Sequence, residues 1–113
     1  MTAPFPAARV REITPAELRQ MLDAPHAPLL LDVRQPWEAE IASIAGSLLV
    51  PLPALAHGVT SLPRDRPIAV YCHHGVRSQM AAEYLLRGGY DAMSLAGGID
   101  RWSVEVDPAI DRY

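Results

Sequence analysis

Four short apolar runs punctuate the chain: Leu29-Leu30-Leu31-Asp32-Val33, Leu48-Leu49-Val50, Ile68-Ala69-Val70-Tyr71 and, more weakly, Ala92-Met93-Ser94-Leu95. Turn formers bound them, with Pro28 before the first, Pro51 after the second, Pro67 before the third and Gly97-Gly98 after the fourth. Runs this short, without polar alternation, fit strands buried on both faces, as in a parallel sheet. Arg9 to Ile13 predicts a short edge strand. Helical patterns fill the gaps. Thr14-Pro15-Ala16-Glu17 reads as a helix start, with Thr14 as N-cap, Pro15 in the first turn and Glu17 completing a capping box. Leu18, Met21 and Leu22 supply its apolar stripe, and Pro25 and Pro28 close it off. Further helices are predicted over Trp37 to Ser43, Ala54 to His57 and Ser78 to Arg87. In the last, Met80, Ala81, Tyr84 and Leu85 form the apolar face. Gln79, Glu83 and Arg87 form a polar one, with Glu83 and Arg87 spaced for an ion pair. Gly88-Gly89 is the stop signal. Helices alternating with buried strands predict an α/β fold with a mostly parallel central sheet. Residues 1–8, with Pro4 and Pro6, read as a flexible arm, and 9–113 as one domain.

Composition narrows the chemistry. In 113 residues there are ten basic side chains, all of them arginine. Without lysine there is no Schiff-base lysine and no phosphate-loop lysine. The single cysteine, Cys72, rules out an intramolecular disulfide framework and a Cys-x-x-Cys metal or redox motif. A net charge of −3 without a basic cluster argues against nucleic acid. No apolar run approaches the ~20 residues of a membrane span. The first ten residues lack the apolar run of a secretory signal, so a cytoplasmic protein is expected, and a lone thiol suits that compartment.

Cys72 is therefore either core filler or a thiol that works alone. Its setting favours the second. A buried strand runs into Cys72, a loop with one glycine follows (His73, His74, Gly75, Val76, Arg77), and the helix from Ser78 begins. In open parallel sheets, sites form beyond the carboxyl ends of the strands. A sharp turn there can aim successive backbone N–H groups inward as an anion-binding nest, and the helix N-terminus adds partial positive charge. Arg77 adds a full one. A sulfur so placed is expected to carry negative charge readily and to receive an anionic partner. His73 and His74, being adjacent, converge poorly with Cys72 on a tetrahedral ion, so no metal is expected. Their plainer role is to line the pocket mouth and supply loop N–H groups. His26 and His57 are expected to face solvent.

Three segments in order then resemble the rhodanese family of single-domain sulfurtransferases, over about residues 12–113. Cys72-His73-His74-Gly75-Val76-Arg77-Ser78 is similar to the family's active-site loop. Leu30 to Glu38 is similar to its first conserved segment, and Leu95 to Trp102 to its closing one. The chain departs from the family at Ser43 to Ser47, where His-Ile-Pro-Gly-Ala is common, and at Leu49, where Asn is common. The resemblance implies a persulfide at Cys72, formed from a small anionic donor such as thiosulfate and handed to cyanide, a thiol or a protein. It implies a mostly parallel central sheet flanked by helices on both faces, and no metal or organic cofactor. Substrate binding is expected from His73, His74, Gly75, Val76, Arg77 and Ser78. Asp32 is expected at a strand end, bonded to backbone N–H groups or a nearby arginine. Arg34 and Glu38 are expected either to line the pocket or to pair structurally. Trp37 and Trp102 are expected in the core or the pocket wall.

Two other readings compete. One is a non-catalytic rhodanese-like binding module, although inactive members typically lack the cysteine. The other is a cysteine-based phosphatase on the same fold. Its motif separates Cys and Arg by five residues, whereas four separate Cys72 from Arg77, and the smaller nest suits a terminal sulfur better than a phosphoryl group.

Overall fold

The apolar runs do become the sheet. The computed structural model describes residues 10–58 and 61–113, so the arm read over 1–8 and the start of the first strand at Arg9 lie outside the described residues. The elements alternate as expected: β1 (Glu12–Ile13), α1 (Pro15–Leu22), β2 (Leu29–Asp32), α2 (Pro36–Ile41), β3 (Leu48–Leu49), α3 (Leu52–Gly58), β4 (Ile68–Tyr71), α4 (Val76–Arg87), β5 (Ala92–Leu95) and α5 (Gly98–Glu105). All pairings are parallel and the strand order is β1-β5-β4-β2-β3. The central strand, β4, has every residue buried, which is why its sequence carries no polar alternation.

Side-chain alternation along β4 divides the core in two. Ile68, Val70 and Cys72 join Leu55 of α3 and Ala81, Ala82 and Leu85 of α4 on one face. Ala69 and Tyr71 join Leu18 of α1 and Ile99 and Trp102 of α5 on the other. Cys72 thus continues the strand's alternation and points toward α4.

Local signals explain the boundaries. The Thr14 hydroxyl accepts from the Glu17 N–H at 3.1 Å and Glu17 accepts from the Thr14 N–H at 2.9 Å, so the predicted capping box is formed. Three expectations need correction. α4 begins at Val76, before Ser78, because Gly75 takes a left-handed conformation (φ 105°) that caps the helix early. Its buried face is Ser78, Ala81, Ala82 and Leu85, whereas Met80 and Tyr84 are exposed; the small alanines let the helix approach the sheet. α2 stops at Ile41 instead of continuing to Ser43, because Ala42 is already extended. The Glu83–Arg87 pair forms at 2.8 Å. α5 has no counterpart in the predicted elements. Gly97-Gly98 reads as the end of a strand, yet it is also the start of this helix, whose Ile99 and Trp102 are buried. Among the described residues, no helix is long and apolar enough to cross a membrane.

Candidate active site

Beyond the end of β4 the chain curls so that its own N–H groups face the Cys72 sulfur. Gly75 N–H reaches Sγ at 3.1 Å and Ser78 N–H at 3.3 Å. The Ser78 hydroxyl lies 3.5 Å from Sγ and 2.8 Å from the Ser94 hydroxyl. The first N–H groups of a helix have no acceptor within it. Here the sulfur takes the place of a capping oxygen for α4, so the same geometry that starts the helix surrounds the thiol with donors. Cys72 is buried, at 1% exposure, and so is Ser78. Such donors suit an anion that enters the loop beside the sulfur.

α5 holds this curl from behind. Ile99 N–H donates to the Cys72 carbonyl at 2.9 Å, and Asp100 N–H donates to the His73 carbonyl at 3.1 Å. The contact is so close that a Cβ at Gly98 would overlap both of those carbonyl groups. A glycine is required there for the helix to dock, which gives the Leu95 to Trp102 segment a physical reason for its sequence.

A second, charged layer lies beside the first. Arg34 is fully buried and grips Asp32 through Nε (2.9 Å) and Nη2 (2.8 Å). Asp32 also accepts from the Arg34 backbone N–H at 3.0 Å. Arg34 further donates to the carbonyl of Ala42 at 2.6 Å and to the Tyr113 hydroxyl at 2.8 Å. Glu38, also buried, takes Arg77 in a two-pronged pair at 2.7 and 2.8 Å. It accepts as well from Gln35 N–H (2.9 Å) and from the Tyr113 hydroxyl (2.8 Å). The Arg77 hydrogen bonds hold the Glu38 carboxyl down at about 2 despite its burial.

The predicted residues therefore fall into distinct places. Gly75 and Ser78 touch the sulfur. Arg77 does not stand as a free cation over the loop, because its fork is engaged by Glu38. Asp32 and Arg34 form a buried pair and hold the strand end. Val76 is exposed at the mouth, at 72%. His73 and His74 stack on each other (3.8 Å between centroids), and the Tyr113 ring lies on the other side of His73 at 3.8 Å and 7°. His26 and His57 are exposed. Trp102 is core, whereas Trp37 is exposed and meets Tyr113 edge-on.

His73, His74 and Asp100 bring one donor atom each within 4.8 Å of one another. Both Asp100 oxygens are engaged by Arg112, at 2.9 and 3.1 Å, and the two imidazoles lie against each other. The adjacent histidines thus converge on Asp100 and not on Cys72, in a packed wall beside the loop. Residue-by-residue reading missed Ser94, Gly98 and Tyr113. Ser94 had a signal, as the one polar residue in an apolar strand. Tyr113 had none.

The departure at Ser43 to Ser47 has its own solution. Ser47 Oγ donates to the Ile44 carbonyl at 2.5 Å and lies 2.7 Å from the Tyr71 hydroxyl, which accepts from Ile44 N–H at 3.2 Å. The turn is held without proline.

Comparison with known proteins adds an independent line. A family model described as "Rhodanese-like domain" matches residues 14–105. The chain is 39% identical over 110 residues to the probable adenylyltransferase/sulfurtransferase MoeZ of Mycobacterium tuberculosis, matching over 95% of its own length but only 28% of that protein's. It is 35% identical over 95 residues to a sulfurtransferase of Allochromatium vinosum, covering 83% of this chain and 89% of that one. The crystal structure of a rhodanese-related protein from Thermoplasma volcanium superposes with a TM-score of 0.81 at 36% identity, over 91% of this chain and 99% of the other.

Proposed function

From the premise that this chain belongs to the rhodanese-like domain family, we propose that it moves sulfane sulfur through a persulfide on Cys72. The donor is a small anion such as thiosulfate, and the acceptor is cyanide, a thiol or a protein. The observation that carries this reading is the pair of neutral donors, Gly75 N–H and Ser78 N–H, gathered on one buried sulfur beside the Ser78 hydroxyl.

The steps balance without a redox partner. The Cys72 thiolate attacks the outer sulfur of thiosulfate, the sulfur–sulfur bond of the donor breaks, and sulfite leaves with the electron pair. The persulfide's terminal sulfur carries the negative charge and meets the loop's N–H groups. An acceptor nucleophile then attacks that terminal sulfur, and Cys72 departs as thiolate. With cyanide the product is thiocyanate. This is two-step nucleophilic catalysis with ping-pong kinetics. The chain has no second cysteine, so the sulfur leaves to another molecule. A free working thiol suits a reducing compartment such as the cytoplasm. Residues 9–113 form the working unit in this reading.

The test is intact-mass measurement. Thiosulfate adds one sulfur atom to the protein, cyanide removes it, and Cys72→Ser abolishes both. A protein that gains no sulfur rejects the reading, and hydrolysis of an aryl phosphate that Cys72→Ser abolishes replaces it with the phosphatase one.

A further inference from the structure

The segment after α5 returns to the active-site loop. Ser103 Oγ donates to the Ile110 carbonyl at 2.6 Å, and Arg112 grips Asp100 on the first turn of α5. Val106, Ile110 and Tyr113 pack on the same core face as Ile99 and Trp102. The segment is thus strapped along α5, and it ends with the Tyr113 side chain between the two ends of the Cys loop.

Tyr113 touches both ends. Its ring lies flat on His73, the residue directly after Cys72, and the pair stacks onward to His74. Its hydroxyl donates to Glu38 Oε1, the oxygen that also accepts from Arg77 Nη2, both at 2.8 Å. The same hydroxyl accepts from Arg34 Nη1 at 2.8 Å, and the Arg34 guanidinium lies 5.7 Å from the ring centroid. Glu38 and Arg34 come from the far side of the loop, so one side chain joins His73, at the loop's start, to the carboxylate that fixes Arg77, at its end. The Tyr113 hydroxyl stays protonated at neutral pH, because burial pushes its pKa up to about 12.

We infer that Tyr113 is a positioning residue for the Cys72 loop, holding its two ends so that the loop's N–H groups face an incoming anion. Tyr113 acts through His73 and Glu38, without touching the sulfur. The inference rests on the reading that the loop receives an anionic donor, and its test separates the two.

The probe is alkylation of Cys72 by iodoacetate, an anion, against iodoacetamide, its neutral analogue of similar shape. In each case the sulfur attacks the methylene carbon and iodide leaves, so no persulfide is needed. The ratio of the two rates reads anion preference and cancels any general change in exposure. Tyr113→Leu lowers this ratio by about fivefold, on the scale by which small misplacements of a binding group cost rate. Tyr113→Phe keeps the stack but loses the hydroxyl, and falls between Tyr113→Leu and the wild type. With thiosulfate and cyanide, Tyr113→Leu raises the donor KM while kcat changes little. Burial and the neighbouring His74 hold the His73 imidazole below its usual pKa. Removing the ring raises its midpoint in an NMR titration, and Tyr113→Phe leaves it in place. Where Tyr113→Leu is poorly folded, Tyr113→Met, whose unbranched chain adapts to the space without a ring, takes its place. A folded variant without the ring that keeps the wild-type alkylation ratio overturns the inference. A wild-type protein that takes no sulfur from thiosulfate, yet loses its iodoacetate preference on Tyr113→Leu, overturns the sulfur-transfer reading and leaves this one standing.

Discussion

Two layers meet at the Cys72 loop, and they use opposite materials. Around the sulfur, every identified partner is neutral: two backbone N–H groups and a serine hydroxyl backed by a second serine. Beside it lie Asp32, Arg34, Glu38 and Arg77, all charged and each paired with a member of the opposite sign. A paired cation is poorly placed to bind an anion as well, whereas the Gly75 and Ser78 N–H groups already face the sulfur. In the proposed reading, recognition of negative charge falls to the neutral layer and rigidity to the charged one. Breaking the charged layer should cost stability first. Breaking the neutral layer should cost rate first.

The largest effect is expected at Asp32. Asp32→Ala leaves the Arg34 guanidinium, fully buried, without its carboxylate. Removing one partner of a buried pair typically costs about 3–5 kcal/mol, a large share of the stability of a domain this size. Urea denaturation reads it directly. A loss under 1 kcal/mol would mean that Ala42, Glu38 and Tyr113 alone hold Arg34, and that the charged layer is less rigid than its geometry suggests.

Next comes Glu38, through its pH dependence. Its carboxyl is lowered from an ordinary value of 4.5 to about 2 by Arg77. A lowered folded-state value means that the contribution to stability is complete above about 4.5. It is lost as the pH falls through about 2. The full shift corresponds to roughly 3 kcal/mol as an upper figure, because Arg77 is partly open to solvent. Denaturation midpoints measured between pH 5 and pH 2 should fall more steeply for the wild type than for Glu38→Gln, which has already lost this contribution. Parallel curves would show that the pair stabilises little.

These two layers also differ in how far the sequence discloses them. The neutral one is local. A strand, a cysteine, a left-handed glycine and a helix start follow one another between Ile68 and Ser78, so spacing alone places the donors on the sulfur. Gly75 and Ser78 could be named because the contacts span only three and six positions. The charged layer is not local. That Arg77 faces Glu38, 39 positions away, depends on β2 and β4 lying side by side in the sheet. Sequence left Glu38 between pocket and pairing, and it left Arg77 as a bare cation. α5 was hidden for another reason, since Gly97-Gly98 ends a strand and starts a helix at one point. The spacing of Ile99, Trp102 and Ser103 carried the missing signal. Tyr113 lies furthest from legibility, because its partner Arg34 is 79 positions away and nothing in its neighbours marks it.

The smallest of these effects tests the comparison most sharply. Ser78→Ala removes the hydroxyl that lies 3.5 Å from the sulfur and should slow persulfide formation about tenfold, less than the loss of a short oxyanion donor because the contact is long. It also strips the buried Ser94 hydroxyl of its bond, which by itself costs about 1 kcal/mol or somewhat more. A slower single variant could therefore reflect either a lost donor or a loosened core. Removing both hydroxyls, as Ser78→Ala with Ser94→Ala, resolves this, since replacing both partners of a buried hydrogen bond with apolar groups is close to neutral for stability. The double variant should recover most of the lost stability while its persulfide forms as slowly as in the single one. If rate and stability recover together, the Ser78 hydroxyl serves packing alone and the neutral layer reduces to the two backbone N–H groups. If the rate stays low, the hydroxyl belongs to the chemistry, and the separation between a layer that reacts and a layer that supports holds at the resolution of a single oxygen atom.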